Sequence, residues 1–307
     1  MNPSESIVVF GGTGLYGRKV VEKLLQKGAR VRVVSRDRAK ALKILGDQVE
    51  ITEGDVTNRG VIIQSLKEAG AVVICLSAMH PGLIRRMKEI ERDAVLMIMG
   101  EAEKAKVTRL LYMSGYEMRE EVLEKLGIPE FGEIKIEIEA RIRASAFNWT
   151  ILGDAPSHEL FFAFLRGDKL AVPGGGLKRM PTISPEDVGE ITAQAALRSD
   201  LGGQRLRLTG PEACSMPDMA RKVTAITGKP VKHITIPLAV IRVVSYLVKP
   251  WFPFVRYLYK SLLMFNNFPE DLADQVPDDH RKLRVLFKYE PVTLEMEIRK
   301  RLIDNQK

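Results

Sequence analysis

Cysteine is nearly missing: Cys75 and Cys214 are all that the 307 residues contain. Two thiols so far apart give no disulfide framework and no pair at metal-ligand spacing, so a reducing compartment is expected. Histidine is almost as scarce. His80, His158, His233 and His280 are scattered without the spacing of a zinc site, and no metal is expected. The opening MNPSESIVVF has no basic stretch leading into an apolar one, which points to a cytoplasmic protein. Internal repeats and low-complexity linkers are lacking as well.

Acid is missing from one stretch. Residues 219–269 hold no Asp or Glu but eight bases: Arg221, Lys222, Lys229, Lys232, Arg242, Lys249, Arg256 and Lys260. They account for the whole net charge of +8, so the rest of the chain is balanced. A nucleic-acid binder would carry its excess base on a solvated groove. Here the bases lie in the most apolar part of the chain, and no nucleic-acid partner is expected.

What is present is ordinary globular material, 45% hydrophobic and 28% charged. Apolar runs of strand length alternate with helix-length amphipathic segments through the first half: IVVF (7–10), VRVVS (31–35), VEIT (49–52), AVVICLS (71–77), RLLYMS (109–114) and WTIL (149–152). Helices are expected near 15–27, 58–69, 83–106 and 131–146. That order predicts an α/β fold, a Rossmann-type doubly wound parallel sheet with a smaller C-terminal substrate lobe. We divide the chain into a dinucleotide-binding core (1–152), substrate-lobe segments interleaved with that core (153–236) and a basic, apolar helical region (237–307). Later helices are expected at 184–199, near 216–227 and over 291–302, where Thr293 suits an N-cap.

GGTGLYG (11–17) follows a strand and precedes a helix, where a dinucleotide fingerprint must lie. Gly11 permits the tight turn, Gly14 lets backbone approach a pyrophosphate, and Gly17 lets the helix pack on the strands. Thr13, Leu15 and Tyr16 complete the expected cradle, whose N–H groups at a helix N-terminus receive phosphate charge. The end of the second strand chooses the cofactor, because an acid there would bond a ribose 2′-hydroxyl and repel a 2′-phosphate. This chain has Ser35, Arg36 and Arg38 instead, which suit a 2′-phosphate and favour NADP(H). Asp55 and Val56 are candidate adenine contacts, although Asp55 can also cap the helix that follows. Leu76, Ser77 and Ala78, at and just past the end of the fourth strand, are expected against the nicotinamide half.

With GGTGLYG, SRDRAK, EGDVTN, LYMSG, IEIEARIRASAFNWTIL, ISPEDVGEI and LTGPEACSMPDMARKV in this order, the chain resembles the short-chain dehydrogenase/reductase superfamily, in its atypical NmrA-like, NAD(P)H-binding branch. The resemblance covers about residues 5–236. It implies a Tyr-x-x-x-Lys pair on the helix after the fifth strand. The matching window is Phe131 to Lys135, so the lysine is kept and the tyrosine is lost. A spacing of four puts both on one helical face, and Lys135 is expected on the nicotinamide ribose; its plain alternative is a pair with Glu139. Ser114 corresponds to the superfamily's active-site serine. Tyr116 and His158 are further candidate proton donors, each also explained by packing or surface position. Where relatives usually carry Arg-Pro after the sixth strand, this chain has Gly153-Asp154.

The resemblance and the residues together imply an NADPH-dependent reductase of a small apolar carbonyl, quinone or enone. The alternative is a catalytically silent NADP(H)-binding sensor or scaffold. Residues 237–265 carry the remaining question. Pro250 and Pro253 predict two short helices there, suited to a peripheral membrane surface, a pocket cap, a homodimer face or a buried pair.

Overall fold

The computed structural model describes residues 5–248 and 251–304; the side chains of Phe131 and Val248 lie outside that description. In chain order the elements are β1 (Ser6–Phe10), α1 (Gly17–Gln26), β2 (Val31–Ser35), α2 (Arg38–Leu45), β3 (Glu50–Glu53), α3 (Arg59–Ser65), β4 (Ala69–Ile74), α4 (Ala94–Lys104), β5 (Arg109–Gly115), α5 (Glu120–Leu126), α6 (Pro129–Arg143) and β6 (Asn148–Asp154). There follow α7 (Glu159–Phe162), β7 (Leu165–Arg166), β8 (Lys169–Pro173), β9 (Met180–Pro181), α8 (Pro185–Ala196), β10 (Gln204–Leu208), β11 (Ala213–Cys214), α9 (Met216–Thr227), β12 (Lys232–Ile236), α10 (Leu238–Val248), α11 (Pro253–Asn267), α12 (Glu270–Leu286) and α13 (Leu294–Leu302).

Two compact units emerge. One comprises Met1–Gly115, Glu133–Asp154 and Pro185–Arg207. It carries a seven-stranded sheet in the order β10-β6-β5-β4-β1-β2-β3, and every neighbouring pair from β6 to β3 is parallel. This is the doubly wound order, which reverses between β1 and β4 and opens a crevice at the carboxyl ends of those strands. Strand residues alternate between faces. Val8, Phe10, Val72, Ile74, Leu110, Tyr112 and Ile151 pack into one buried cluster with Ile62 of α3, Ile98 and Ala102 of α4, and Ile138 and Ile142 of α6. On the other face α1 buries Val20, Val21 and Leu24, and α8 buries Val188, Ile191 and Ala195. A Cβ at Gly189 would come within 2.6 Å of Lys19 Cβ, so glycine sets how closely α8 meets α1. At the rim Lys19 pairs with Glu186 at 2.6 Å and Lys27 with Glu190 at 2.6 Å.

The approach to α4 is irregular. A single 3-10 turn at Ile84–Arg86 is followed by a π turn, Glu89–Asp93, that feeds directly into the helix. π turns leave one residue more than an α-helix would hold and are frequent at functional sites. Glu91, in this one, is buried.

The second unit comprises Tyr116–Gly132, Ala155–Ser184 and Leu208–Lys307. Its three-stranded sheet runs β12-β8-β7, with β12 parallel and β7 antiparallel to β8, and β9 pairs antiparallel with β11. Local chemistry sets the ends of its helices. Ser215 and Asp218 form a reciprocal capping box at the start of α9, and Thr293 Oγ1 accepts from the Met296 amide at the start of α13. Lys222 of α9 bridges Glu212, at 2.8 Å, and Glu295 of α13. α10 and α11 are separate helices, with Pro253 at the first position of α11; Lys249 and Pro250 lie outside the described residues.

Candidate functional site

The glycine turn sits at the carboxyl end of β1. Gly11 has φ +84°, and a Cβ there would come 2.5 Å from the Cys75 carbonyl oxygen, so the turn is pressed against the chain leaving β4. A Cβ on Gly17 would lie 2.1 Å from Gly11 O. Gly14 is exposed, its amide donating to Gly11 O at 3.0 Å, and its outer side is open. The start of α1 has no side-chain cap and no acid in its first turn, which leaves its positive end to an incoming anion. Thr13 and Tyr16 are half-buried and Leu15 is exposed around it.

Ser35 ends β2. Its hydroxyl donates to Asp37 O at 3.1 Å, while Asp37 caps α2 by accepting from the Lys40 amide at 2.9 Å. Arg36 is exposed and makes no ion pair or hydrogen bond among the described residues. Arg38 is turned the other way, donating to Ile51 O at 2.9 Å. Glu53 lies in register with Ser35 and accepts from the Arg38 amide at 3.2 Å, an acid at this corner that sequence reasoning passed over. Asn58 caps α3, accepting from the Gly60 amide at 2.8 Å. Asp55 instead accepts from the Thr57 amide and hydroxyl and from Arg86 at 3.2 Å. Burial works to raise the Asp55 pKa, but those donors outweigh it and hold the carboxyl below its usual range. Val56 is half-buried against the core cluster.

Leu76 is half-buried, Ser77 exposed and Ala78 buried in the segment after β4. Glu91 reaches this segment from the π turn: its Oε1 accepts from the Ala78 amide at 2.6 Å, and its Oε2 lies 4.0 Å from Lys135 Nζ. Lys135 also donates to Met113 O at 3.4 Å and stands 5.4 Å from the Tyr112 ring centroid. Lys135 therefore pairs with Glu91, not with Glu139 one turn on. Glu139 is buried and accepts from Ser114 Oγ at 2.6 Å, from Arg143 at 2.8 Å and from Arg205 at 3.0 Å. Ser114 is accordingly a buried strand-end hydroxyl with a committed partner.

Asp154 ends β6 opposite Gly115, where it feels the charge of Lys135 from α6. Burial, opposed by Lys135, by a backbone hydrogen bond and by Arg205, raises its carboxyl to about 7. Gly153 has no room for a side chain: a Cβ would sit 2.7 Å from Gly115 O and 2.9 Å from Arg205 Nη1. The guanidinium at this edge comes from β10, Arg205 donating to Gly115 O at 2.7 Å. Burial, with Asp154 beside it, pushes the Cys75 thiol up to about 12, so it stays protonated at neutral pH. Glu91, Asp154 and Arg205 were not foreseen as site residues. The departure from Arg-Pro at 153–154 was the one available signal.

Tyr116 and His158 belong to the second unit, and each is buried within it. Tyr116 donates its hydroxyl to Asp279 at 3.1 Å. Among the described residues no hydrogen-bond partner reaches the buried His158 Nδ1, and burial lowers the imidazole pKa to about 4. The side chain of Phe131 lies outside the described residues.

His158 should be visible in stability. With a folded pKa of about 4 against an ordinary 6.5, the unfolded chain binds the extra proton between those values. Stability contributed by the neutral imidazole is complete above pH 6.5 and falls as pH drops toward 4, by roughly 3 kcal/mol at most. His158→Phe is expected to flatten urea-unfolding free energies across that window. An unchanged slope would show that His158 is not the group responsible.

The sheet order, the glycine turn and the added lobe define a protein of the extended Rossmann class. A model of the NmrA-like family matches residues 3–295, and the chain belongs to that family. The mitochondrial NADH-ubiquinone oxidoreductase 40 kDa subunit of Neurospora crassa is 21% identical over 282 residues, covering 89% of this chain and 72% of that protein. The NAD(P)H azoreductase of Xenophilus azovorans is 23% identical over 242 residues, covering 76% and 77%. Among solved structures, Citrobacter sp. triphenylmethane reductase complexed with NADP(H) superposes with a TM-score of 0.76 at 17% identity, over 96% of this chain and 99% of that one, which shows a shared fold.

Proposed function

We propose that the chain binds NADP(H) and reduces a small apolar carbonyl, quinone or enone. The observation that carries this reading is the presence, at the carboxyl ends of one parallel sheet, of a turn with no room for side chains at Gly11 and Gly17 and of Asp154, whose carboxyl feels the Lys135 charge. Gly11, Thr13, Gly14, Leu15, Tyr16 and Gly17 would hold the pyrophosphate, and Ser35 and Arg36 the 2′-phosphate. Asp55 and Val56 would flank the adenine, with Leu76, Ser77 and Ala78 along the nicotinamide half. The bound cofactor supplies a hydride donor. Lys135 would hold the ribose, its ammonium fixed between Glu91 and the Met113 carbonyl. Asp154, protonated up to about pH 7, would give a proton to a substrate oxyanion. The NAD(P)H azoreductase and the NADP(H) complex of triphenylmethane reductase support this reading by similarity.

A second reading, a silent NADP(H)-binding sensor or scaffold, draws on Phe131 at the tyrosine position and on Ser114, whose hydroxyl is spent on Glu139. The Neurospora relative, one subunit of a larger oxidoreductase, is compatible with it. Fluorescence titration with NADPH and NADH, followed by a screen of quinones and aldehydes for NADPH oxidation, separates the two. Arg36→Ala is expected to weaken NADPH roughly 10-fold or more, the loss of a charge-assisted phosphate contact, and to leave NADH nearly unchanged. Equal affinities unaffected by that substitution would sink the NADP(H) assignment, and tight binding without turnover would favour the sensor.

A further inference from the structure

We infer that the outer face of α10, continued by Trp251 and Phe252, docks on an anionic lipid surface. Val240, Val243, Val244 and Leu247 recur at the spacing of one helical face, and all four are exposed, from 43% at Val244 to 67% at Leu247. The inward side of the same helix carries Ser245, which is buried with its hydroxyl returned to Arg242 O at 2.7 Å. A helix settled on a water-soluble lobe turns its apolar stripe inward. This one keeps Leu238 and Ile241 half-buried beside Ser245 and turns a second apolar stripe out. Past α10, Trp251 is 70% exposed and Phe252 is exposed beside it. Exposed apolar side chains in this number mark an interaction site.

Charge chooses the partner. Residues 219–269 hold no acid, and Arg242, exposed on α10, meets no carboxylate within ion-pair distance among the described residues. Arg256 lies over the Tyr246 ring, 5.4 Å from its centroid, and its charge is felt by Glu130. Glu130 serves α11, pairing with Lys260 at 3.0 Å and acting on Arg256, which leaves Arg242 of α10 as the cation to be answered. A second copy of the chain is the poorer fit. A two-fold interface sets the same patch on itself, and this patch has a cation with no acid to answer it. A surface of anionic headgroups over acyl chains answers both the cation and the stripe. The helix would lie in the interface plane, since its 11 residues span only ~16 Å against a hydrocarbon core of about 30 Å. Among the described residues no helix is long and apolar enough to cross a membrane. The inference stands apart from the cofactor reading and is tested without nucleotide.

The full chain is mixed with vesicles of phosphatidylcholine alone or of phosphatidylcholine with phosphatidylglycerol, and co-sedimentation is read together with tryptophan emission. Binding is expected only to the mixed vesicles, with a blue shift that Trp251→Phe removes, and weakening in high salt as exposed charges are screened. The Val243→Asp, Leu247→Asp double variant is expected to lose binding with an unchanged circular dichroism melt, and Arg242→Glu to lower partitioning at least about 10-fold. If the double variant melts early, Arg242→Glu and Trp251→Phe still decide the matter. Failure to bind the mixed vesicles, equal binding to the neutral ones, or full binding by the double variant would overturn the inference. So would a concentration-dependent dimer that the double variant abolishes and the mixed vesicles do not compete away.

Discussion

Gly17→Ala is expected to abolish NADPH binding and to destabilise the first unit. The added methyl would lie 2.1 Å from Gly11 O and 2.9 Å from both Gly11 C and Gly12 Cα, and all three are backbone atoms that no rotamer change can clear. Either α1 shifts away from the strands or the turn opens. A shift disturbs the packing of Val20, Val21 and Leu24, at a cost of about 1–3 kcal/mol for an overpacked core. An opened turn misdirects the amides that would face the pyrophosphate, and affinity should fall at least about 100-fold, or roughly 2.7 kcal/mol. Gly14→Ala provides the comparison, because its methyl would meet only Gly11 O, at 3.2 Å, and would otherwise face open space. It should spare the melting temperature and still weaken NADPH by occupying the place of the phosphate. A Gly17→Ala protein that binds NADPH normally would remove the dinucleotide reading of the turn.

Asp154→Asn is expected to cost about 100-fold in turnover, the scale of a lost general acid. On the reductase reading, the native protein should lose activity as pH rises through about 7, where the carboxyl gives up its proton, whereas the variant should be low and flat across that range. Stability falls over the same rise in pH. The folded carboxyl, at about 7, lies above its ordinary 3.8, so between those values the native chain binds the extra proton and stability declines with rising pH. Asparagine removes that decline and should stabilise the protein at pH 8 by on the order of 2 kcal/mol, a figure discounted for partial solvent access. An unaltered pH limb in the variant would assign the proton to another group.

Much of the fold is legible in the sequence because its signals are local. Strands buried on both faces read as short apolar runs, and Gly28, Gly127 and Gly228 stand at helix ends with positive φ. α9 falls where Met216 and Thr227 bound the expected helix, and Thr293 caps α13 as its hydroxyl suggests. α12 left no such trace: it holds Pro277 in its interior and draws its stability from Leu272, Ala273, Val276 and Leu283, which are buried only once the second unit has formed. The two-residue strands β7, β9 and β11 are too short for periodicity to register.

The candidate site divides along the same line. The glycine turn and the Ser35-Arg36 corner are contiguous in sequence and could be read directly. Arg205 and Glu139 are 66 residues apart, and Glu91 reaches Ala78 and Lys135 from a π turn that no periodicity announces. Choosing Glu91 over Glu139 as the partner of Lys135 is a tertiary decision. A spacing of four allows a pair, but Glu139 is already claimed by Ser114, Arg143 and Arg205.

The Glu89–Asp93 turn makes the lysine's anchorage a matter of chain length. A π turn is an α-helix with one residue inserted. Deleting a single residue within it would return the segment to α-helical phase and keep Ala94, Val95 and Ile98 facing the sheet, while carrying the Glu91 carboxylate off the Ala78 amide. The hold on Lys135 can therefore be gained or shed by one codon without rebuilding the core around α4.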